Sequence, residues 1–213
     1  MISRYVLAAL LLVFGATSVF AQENLNQVDG GSSSETSRPW ANANDVLIEQ
    51  IGTDNIAEVV AYSDSSALVV EQHGDEHRAN VRLSGSDNQG DISQQGDRNA
   101  ADVTIDGMIN SFSISQTTAQ VPFAGDNLVS LDQSGLGNIA FQTQIGRDND
   151  MKLRQNGADN FADLYQEGQS NRMELEQNGD DNSARLKQFG LSAAPIIVTQ
   201  TGGMSVEITQ TGE

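Results

Sequence analysis

The chain has 213 residues, a formal net charge of −18, no cysteine and only 5% aromatic residues. So large a surplus of carboxylates excludes nucleic acid as a partner, because phosphates need cations to neutralise them, and the missing cysteine excludes a disulfide framework. Few aromatics and 38% apolar residues argue against a conventional two-layer core and favour a narrow one filled by small side chains and amides.

Taken from the N-terminus, residues 1–21 carry Arg4, an apolar run from Tyr5 to Phe20 and small residues around Ala21. That order of charge, apolar core and cleavage site describes a secretory signal peptide, and the run is short for a membrane span. No other long apolar run follows, so no transmembrane segment is expected in the mature chain. Residues 22–43 contain Gly30-Gly31-Ser32-Ser33-Ser34 and no strand-like alternation. They are expected to form a flexible export segment ending near Trp40, the only tryptophan.

From about Asn44 to residue 213 the chain repeats Asn-x-φ-x-φ-x-Gln-x-Gly-x-x, a beat of 11 residues with φ apolar. Fixed-period self-similarity is the mark of a stacked, quasi-one-dimensional architecture. The Gln slot holds Gln50, Gln72, Gln94, Gln116, Gln133, Gln144, Gln155, Gln166, Gln177, Gln188, Gln200 and Gln210, with Ala61, Leu83 and Ile105 as replacements. The Asn slot holds Asn44, Asn55, Asn88, Asn99, Asn110, Asn127, Asn138, Asn149, Asn160, Asn171 and Asn182, with Ser66 and His77 standing in elsewhere. Turn glycines such as Gly96, Gly135, Gly157 and Gly179 follow the Gln slot. Six extra residues interrupt the beat between Gln116 and Asn127, and a smaller slip falls near Ala193-Ala194-Pro195.

Each unit reads as a strand and a tight turn. In Asn182–Gln188, Ala184 and Leu186 alternate with Arg185 and Lys187, the period-2 pattern of a strand with one buried face. A helix is disfavoured, since an interior glycine costs about 1 kcal/mol. Two strands per rung follow from what recurs at 22 residues. Gln50, Gln72, Gln94 and Gln116 are 22 apart, and so are the apolar Ala61, Leu83 and Ile105. Outward charges then pair favourably: Arg154 with Asp132 and Glu176, Lys152 with Glu174, Asp163 with Arg185. The expected fold is all-β, a two-strand-per-rung cross-β solenoid of about seven rungs, about 35 Å long at about 4.8 Å per rung. Inside it the Gln and Asn slots form amide columns that satisfy themselves from rung to rung. No polar cap is evident, so both ends are expected to leave open strand edges.

The unit Gln-x-Gly-x-x-Asn-x-Ala, as in Gln94–Ala101, Gln133–Ala140 and Gln177–Ala184, resembles the repeat of the curlins, the bacterial extracellular amyloid subunits of curli. The resemblance covers about 170 residues, with a leader and flexible segment laid out as in that family. It implies export through an outer-membrane curli pore with accessory proteins, and then assembly with itself and other curlin subunits into cell-surface fibres. Such fibres support biofilm matrix, adhesion and host-protein binding. The family has a major subunit that builds the fibre and a minor one that nucleates it. The even spacing and the tail Ile196–Gln210 are more like the minor subunit, but its last repeat is typically basic. Here Glu207 and Glu213 occupy the tail and no Lys or Arg follows Lys187.

Rival chemistry is thin. Asp148-Asn149-Asp150 and Asp180-Asp181-Asn182 lack the Gly-rich period-nine motif of calcium solenoids and read as solvated turns. His73 and His77 lack the further ligands a metal site wants, and His77 occupies an Asn slot. No Gly-x-Ser-x-Gly elbow with its partners occurs, so no catalytic residue, cofactor or metal is assigned. The alternative reading is a capped, soluble β-solenoid adhesin or binding protein. A polysaccharide-cleaving β-helix would need a groove that so thin a coil does not offer.

Overall fold

The computed structural model describes residues 24–26, 45–118 and 126–212. The leader, Asn44, Trp40 and most of segment 22–43, and residues 119–125 lie outside the described residues.

Among the described residues sixteen strands follow in chain order: β1 Asn24–Asn26, β2 Asp45–Ile51, β3 Ile56–Asp64, β4 Ala67–Asp75, β5 Arg78–Ser86, β6 Gln89–Asp97, β7 Ala100–Met108 and β8 Ser111–Thr117. After the insertion come β9 Leu128–Leu136, β10 Ile139–Arg147, β11 Asp150–Ala158, β12 Phe161–Gln169, β13 Arg172–Asn178, β14 Ser183–Leu191, β15 Ile196–Thr201 and β16 Ser205–Thr211. Even-numbered strands, with β1 at the edge, form a nine-stranded sheet ordered β1-β2-β4-β6-β8-β10-β12-β14-β16, and the remaining odd-numbered strands form a seven-stranded sheet from β3 to β15. All pairings are parallel. The expected two-strand rung is therefore the observed one: every second strand stacks on its like, 22 residues on, as Gln72 does with Gln94.

Period 2 sets which side chains meet inside. In β12 the burial runs intermediate and buried alternately, with Ala162, Leu164 and Gln166 inward. Aliphatic columns fill the space between the sheets: Val70, Ile92 and Ile114 in one, Val81, Val103 and Leu131 in the other. Each such side chain contributes about 1.5–3 kcal/mol on burial. Where a large residue enters, a small one yields. The ring of Phe112 lies over Gly90, where an added Cβ would come within 2.2 Å of it. The turns are tight enough to need glycine: Gly157 sits at φ +130°, and a Cβ there would be 2.2 Å from the carbonyl oxygen of Gly179.

Two sequence expectations need correction. The segment 22–43, expected to be flexible for want of strand-like alternation, contributes β1, which pairs with β2, Asn24 with Leu47 through Asn26 with Glu49. The edge of β2 offers unpaired backbone groups, which a three-residue extended stretch satisfies without any side-chain pattern. In the Gln slot like also fails to stack on like at one step, where Ile105 lies in register with Gln133. Six extra residues spaced the two apart in sequence, so the change in slot chemistry was hidden.

Candidate self-assembly site

The columns named from the sequence are ladders with a direction. In the sheet of even strands, each Gln Nε2 donates to the Oε1 of the Gln in the next rung. The series runs Gln50 to Gln72 (2.5 Å), Gln94 (2.7 Å), Gln116 (2.8 Å), Gln144 (3.1 Å), Gln166 (3.1 Å), Gln188 (2.9 Å) and Gln210 (3.2 Å). In the odd sheet it runs Gln133 to Gln155 (2.8 Å), Gln177 (2.8 Å) and Gln200 (2.7 Å). The second Nε2 proton crosses to a strand-start carbonyl of the facing sheet, as Gln94 does to Arg78 and Gln155 to Ile139. One amide thus joins successive rungs and both sheets. Gln72 through Gln188 in these series are at most 1% exposed, whereas Gln50, in the first rung, is half-buried.

The Asn slot holds the turns. Oδ1 of each accepts the backbone N–H of the slot below, as Asn138 does from Asn160 (3.1 Å) and Asn160 from Asn182 (3.0 Å). Nδ2 donates to a turn-glycine carbonyl of the next rung, as Asn55 does to Gly74, Asn138 to Gly157, Asn149 to Gly168 and Asn171 to Gly190. Asn99 instead donates to Gln95 O and accepts from Thr118 and Asn127, because Thr118 replaces the usual glycine. His77 imitates an amide: its Nδ1 accepts the Asn99 N–H at 3.2 Å, and its Nε2 faces His73 O at 3.2 Å. Burial pushes the His77 pKa down, against the pull of the His73 and Gly96 backbone and of Asp97 and Asp75.

The two outer faces differ. Across β9, β11 and β13 run exposed ion pairs, Arg154–Asp132 at 3.6 Å and Lys152–Glu174 at 3.8 Å, each worth about 0–1 kcal/mol. Arg185 adjoins Asp163 in register but stacks over the Phe161 ring, 5.6 Å from its centroid. Phe141, Phe161, Tyr165 and Phe189 share the outer face of β10, β12 and β14, with ring pairs at 6.1 and 5.5 Å. This grouping was not anticipated, although the 22-residue register places Phe141 beside Asp163 and Phe161 one column over. Burial also pushes the Asp91 carboxyl upward.

The ends decide what the ladders can do. At the first rung, Gln50 Oε1 has no donor among the described residues, and at the last, Gln210 Nε2 has no acceptor among them. In the odd sheet the ladder is closed: Ala61 has no amide, and Gln200 Nε2 is taken by Ser183 O and Met204 O. The Asn slots of the last rung hold Ala193 and Met204, whose N–H groups still donate to Asn171 and Asn182. The edge of β2 is occupied by β1, and that of β3 carries no strand among the described residues. Among the described residues no group of His, Cys, Asp or Glu is placed to hold a metal, and no helix is long and apolar enough to cross a membrane.

The family model described as curlin associated repeat matches residues 85–117, 125–157 and 157–190. The break between the first two matches coincides with the inserted residues. No curated protein and no solved structure matches the chain. Three consecutive repeat matches thus fall on a parallel β-solenoid whose buried columns are the Gln and Asn of that repeat, and residues 85–190 are similar to the curlin associated repeat.

Proposed function

We propose that the chain is an extracellular curli subunit that polymerises end to end at the bacterial cell surface, in the service of biofilm matrix and adhesion. In this reading residues 1–21 are a leader, and residues 22–43 serve export through the outer-membrane pore and its accessory proteins. The Gln and Asn columns described above are then the self-assembly residues.

The observation that carries the reading is the even-sheet ladder, which ends in a donor at Gln210 and begins in an acceptor at Gln50. Setting β16 of one copy on β2 of another, in the place of β1, puts Val206 on Val46, Ile208 on Ile48 and Gln210 on Gln50, with the odd sheet one strand short between β15 and β3. Outward residues then meet without like charges, Glu207 falling beside Leu47 and Thr209 beside Glu49. A buried amide left without its partner costs about 1–3 kcal/mol, so the open ladder favours continuation. Parallel strand edges supply the backbone pairing.

One observation favours a second reading, a capped soluble adhesin: β1 already lies on the edge of β2. Growth assays on the purified mature chain separate the two. Polymerisation predicts a dye-binding lag followed by growth, a fibre reflection near 4.8 Å and faster growth in salt or at lower pH, where the net charge repels less. Deleting residues 22–43 then shortens the lag by uncovering β2. A full-length chain that stays monomeric across pH and salt, and polymerises only after the deletion, is the capped protein. Trace seeding of a major curlin assigns the role: an abolished lag with membrane retention makes this chain the nucleator, an unchanged lag the fibre subunit.

A further inference from the structure

Every buried side-chain nitrogen or oxygen that lacks a hydrogen-bond partner among the described residues lies in one rung, that of β9 and β10: Gln133 Oε1, Gln142 Nε2 and Gln142 Oε1. Register explains each. Gln133 donates to Gln155 and to Ser111 O, but its acceptor faces Ile105 in the rung before. Gln142, 1% exposed, occupies an aliphatic slot between Ile114 and Leu164. The odd-sheet column therefore changes character here, from Ala61, Leu83 and Ile105 to Gln133, Gln155, Gln177 and Gln200. The lengthened connection falls at the same boundary, with Gln116 and Gln144 stacked although 28 residues apart.

We infer that this boundary is a joint, and that the face of β9–β10 turned toward β7–β8 is a second docking surface for a copy of this chain, taken by that copy's β15–β16 rung when the joint parts. The inference rests on the self-assembly reading above. The occupant is identified by the missing group, an amide donor above Gln133. Copying the last rung onto this face puts Gln200 over Gln133, Val198 over Leu131 and Ile196 over Val129. In the even sheet it puts Gln210 over Gln144, Ile208 over Gln142 and Val206 over Ala140. Interior Gln residues give one proton to a carbonyl and one to the next Gln, whereas Gln200 gives both to carbonyls. Turning one from Met204 O to Gln133 Oε1 restores the interior pattern and supplies the absent donor. At the end-to-end junction the odd sheet is one strand short between β15 and β3, so Gln200 meets no amide there. Outward neighbours on the new face, Asp132 beside Thr199 and Phe141 beside Glu207, bring no like charges together. Pairing lost from β7 and β8 is regained strand for strand from β15 and β16, so the change is an exchange.

The chain has no cysteine, so introduced thiols report contacts directly. Mature full-length copies carrying Asp132→Cys are mixed with copies carrying Thr199→Cys under mild oxidation. Adjacent parallel strands bring such a pair within disulfide range. A parallel mixture of Glu49→Cys and Thr209→Cys copies reports the end-to-end junction, where β2 stacks on β16. Mixed disulfides are expected in both. Ile105→Gln gives Gln133 its donor within the chain, and Gln133→Leu removes the acceptor. Each is expected to lower the Asp132–Thr199 yield about tenfold, in line with one net hydrogen bond, and Ile105→Gln to leave the Glu49–Thr209 yield unchanged. A Glu49–Thr209 link without an Asp132–Thr199 link overturns the docking surface and leaves end-to-end assembly standing, and so does an Asp132–Thr199 link undiminished by both variants. Absence of both links overturns the two readings together.

Discussion

His77 Nδ1 accepts the backbone N–H of Asn99 at 3.2 Å, the place an Asn Oδ1 takes in the rungs around it. The ring must be neutral there, because a proton on Nδ1 would face the Asn99 N–H. With Nδ1 as acceptor, Nε2 carries the hydrogen donated to His73 O. The imidazole is thus wedged into a ladder that only one tautomer fits.

Acid should therefore act on this residue. Burial holds the folded pKa below the unfolded value, so the unfolded chain binds the extra proton. Stability from this site is complete above the ordinary imidazole range, about 6.5, and falls as pH drops below it. Asp75 and Asp97 oppose the shift without cancelling it. His77→Asn restores a pH-insensitive amide. Thermal unfolding of both proteins from pH 7.5 to 5, about the span where an imidazole titrates, should show the wild type losing Tm relative to the variant. Carboxylate protonation, including that of Asp91, acts in both and drops out of the difference. A constant difference across the range would refute the wedge.

Inward amides should outweigh outward charges. Replacing Gln94 by Leu removes the acceptor of Gln72 and the donor of Gln116 and frees Arg78 O, at about 1–3 kcal/mol for each orphaned group. Gln72→Leu and Gln188→Leu do the same in their rungs. Glu58→Ser, Glu71→Ser and Arg185→Ser alter the outer face and should stay within about 0.5 kcal/mol. Denaturant midpoints and assembly lag times check this, and equal effects from the two sets would contradict the column assignment.

Much of this was legible in the residues because a ladder repeats its own evidence. Gln at every second slot and Ala61, Leu83 and Ile105 in the slots between announced the two-strand rung, and the charge pairs of Lys152 and Arg154 agreed. What escaped was whatever occurs once. Gln142 sits in a φ slot, where a single glutamine resembles an outward residue, and only the alternation from Ala140 to Gln144 marks it as inward. β1 pairs through its backbone, which leaves no trace in side-chain pattern. The end-slot residues Ala193 and Met204 hide behind a one-residue slip, visible in the 23-residue step from Gln177 to Gln200.

Turn glycines should be less replaceable than their exposure suggests. Gly157 is half-buried, but an alanine there needs φ +130° and sets its Cβ 2.2 Å from Gly179 O. That carbonyl belongs to the next rung, so relief requires two rungs to separate. Backbone strain alone is about 1–3 kcal/mol. Gly157→Ala should lower Tm and open β11 and β13 to hydrogen exchange, whereas Gly203→Ala, with nothing within 4 Å, should carry the strain of φ +61° alone. Equal losses from the two would mean that stacking distance at the turn does not limit the coil.

Gln142 offers the opposite test, a substitution that should strengthen the rod. Its amide is buried between Ile114 and Leu164 with neither end bonded, and the desolvation cost is about 1–3 kcal/mol. Leucine has nearly the same volume and needs no partner, and it continues the slot that Leu164 and Leu186 already occupy. Gln142→Leu should raise Tm by about 2–4 °C for each kcal/mol recovered in a chain of this size. The same change at Gln144, two residues on, breaks a bonded column and should lower it. The side chains differ only in slot, so the opposite signs isolate hydrogen bonding from bulk. If both substitutions destabilise, Gln142 has a partner in solution and is no defect.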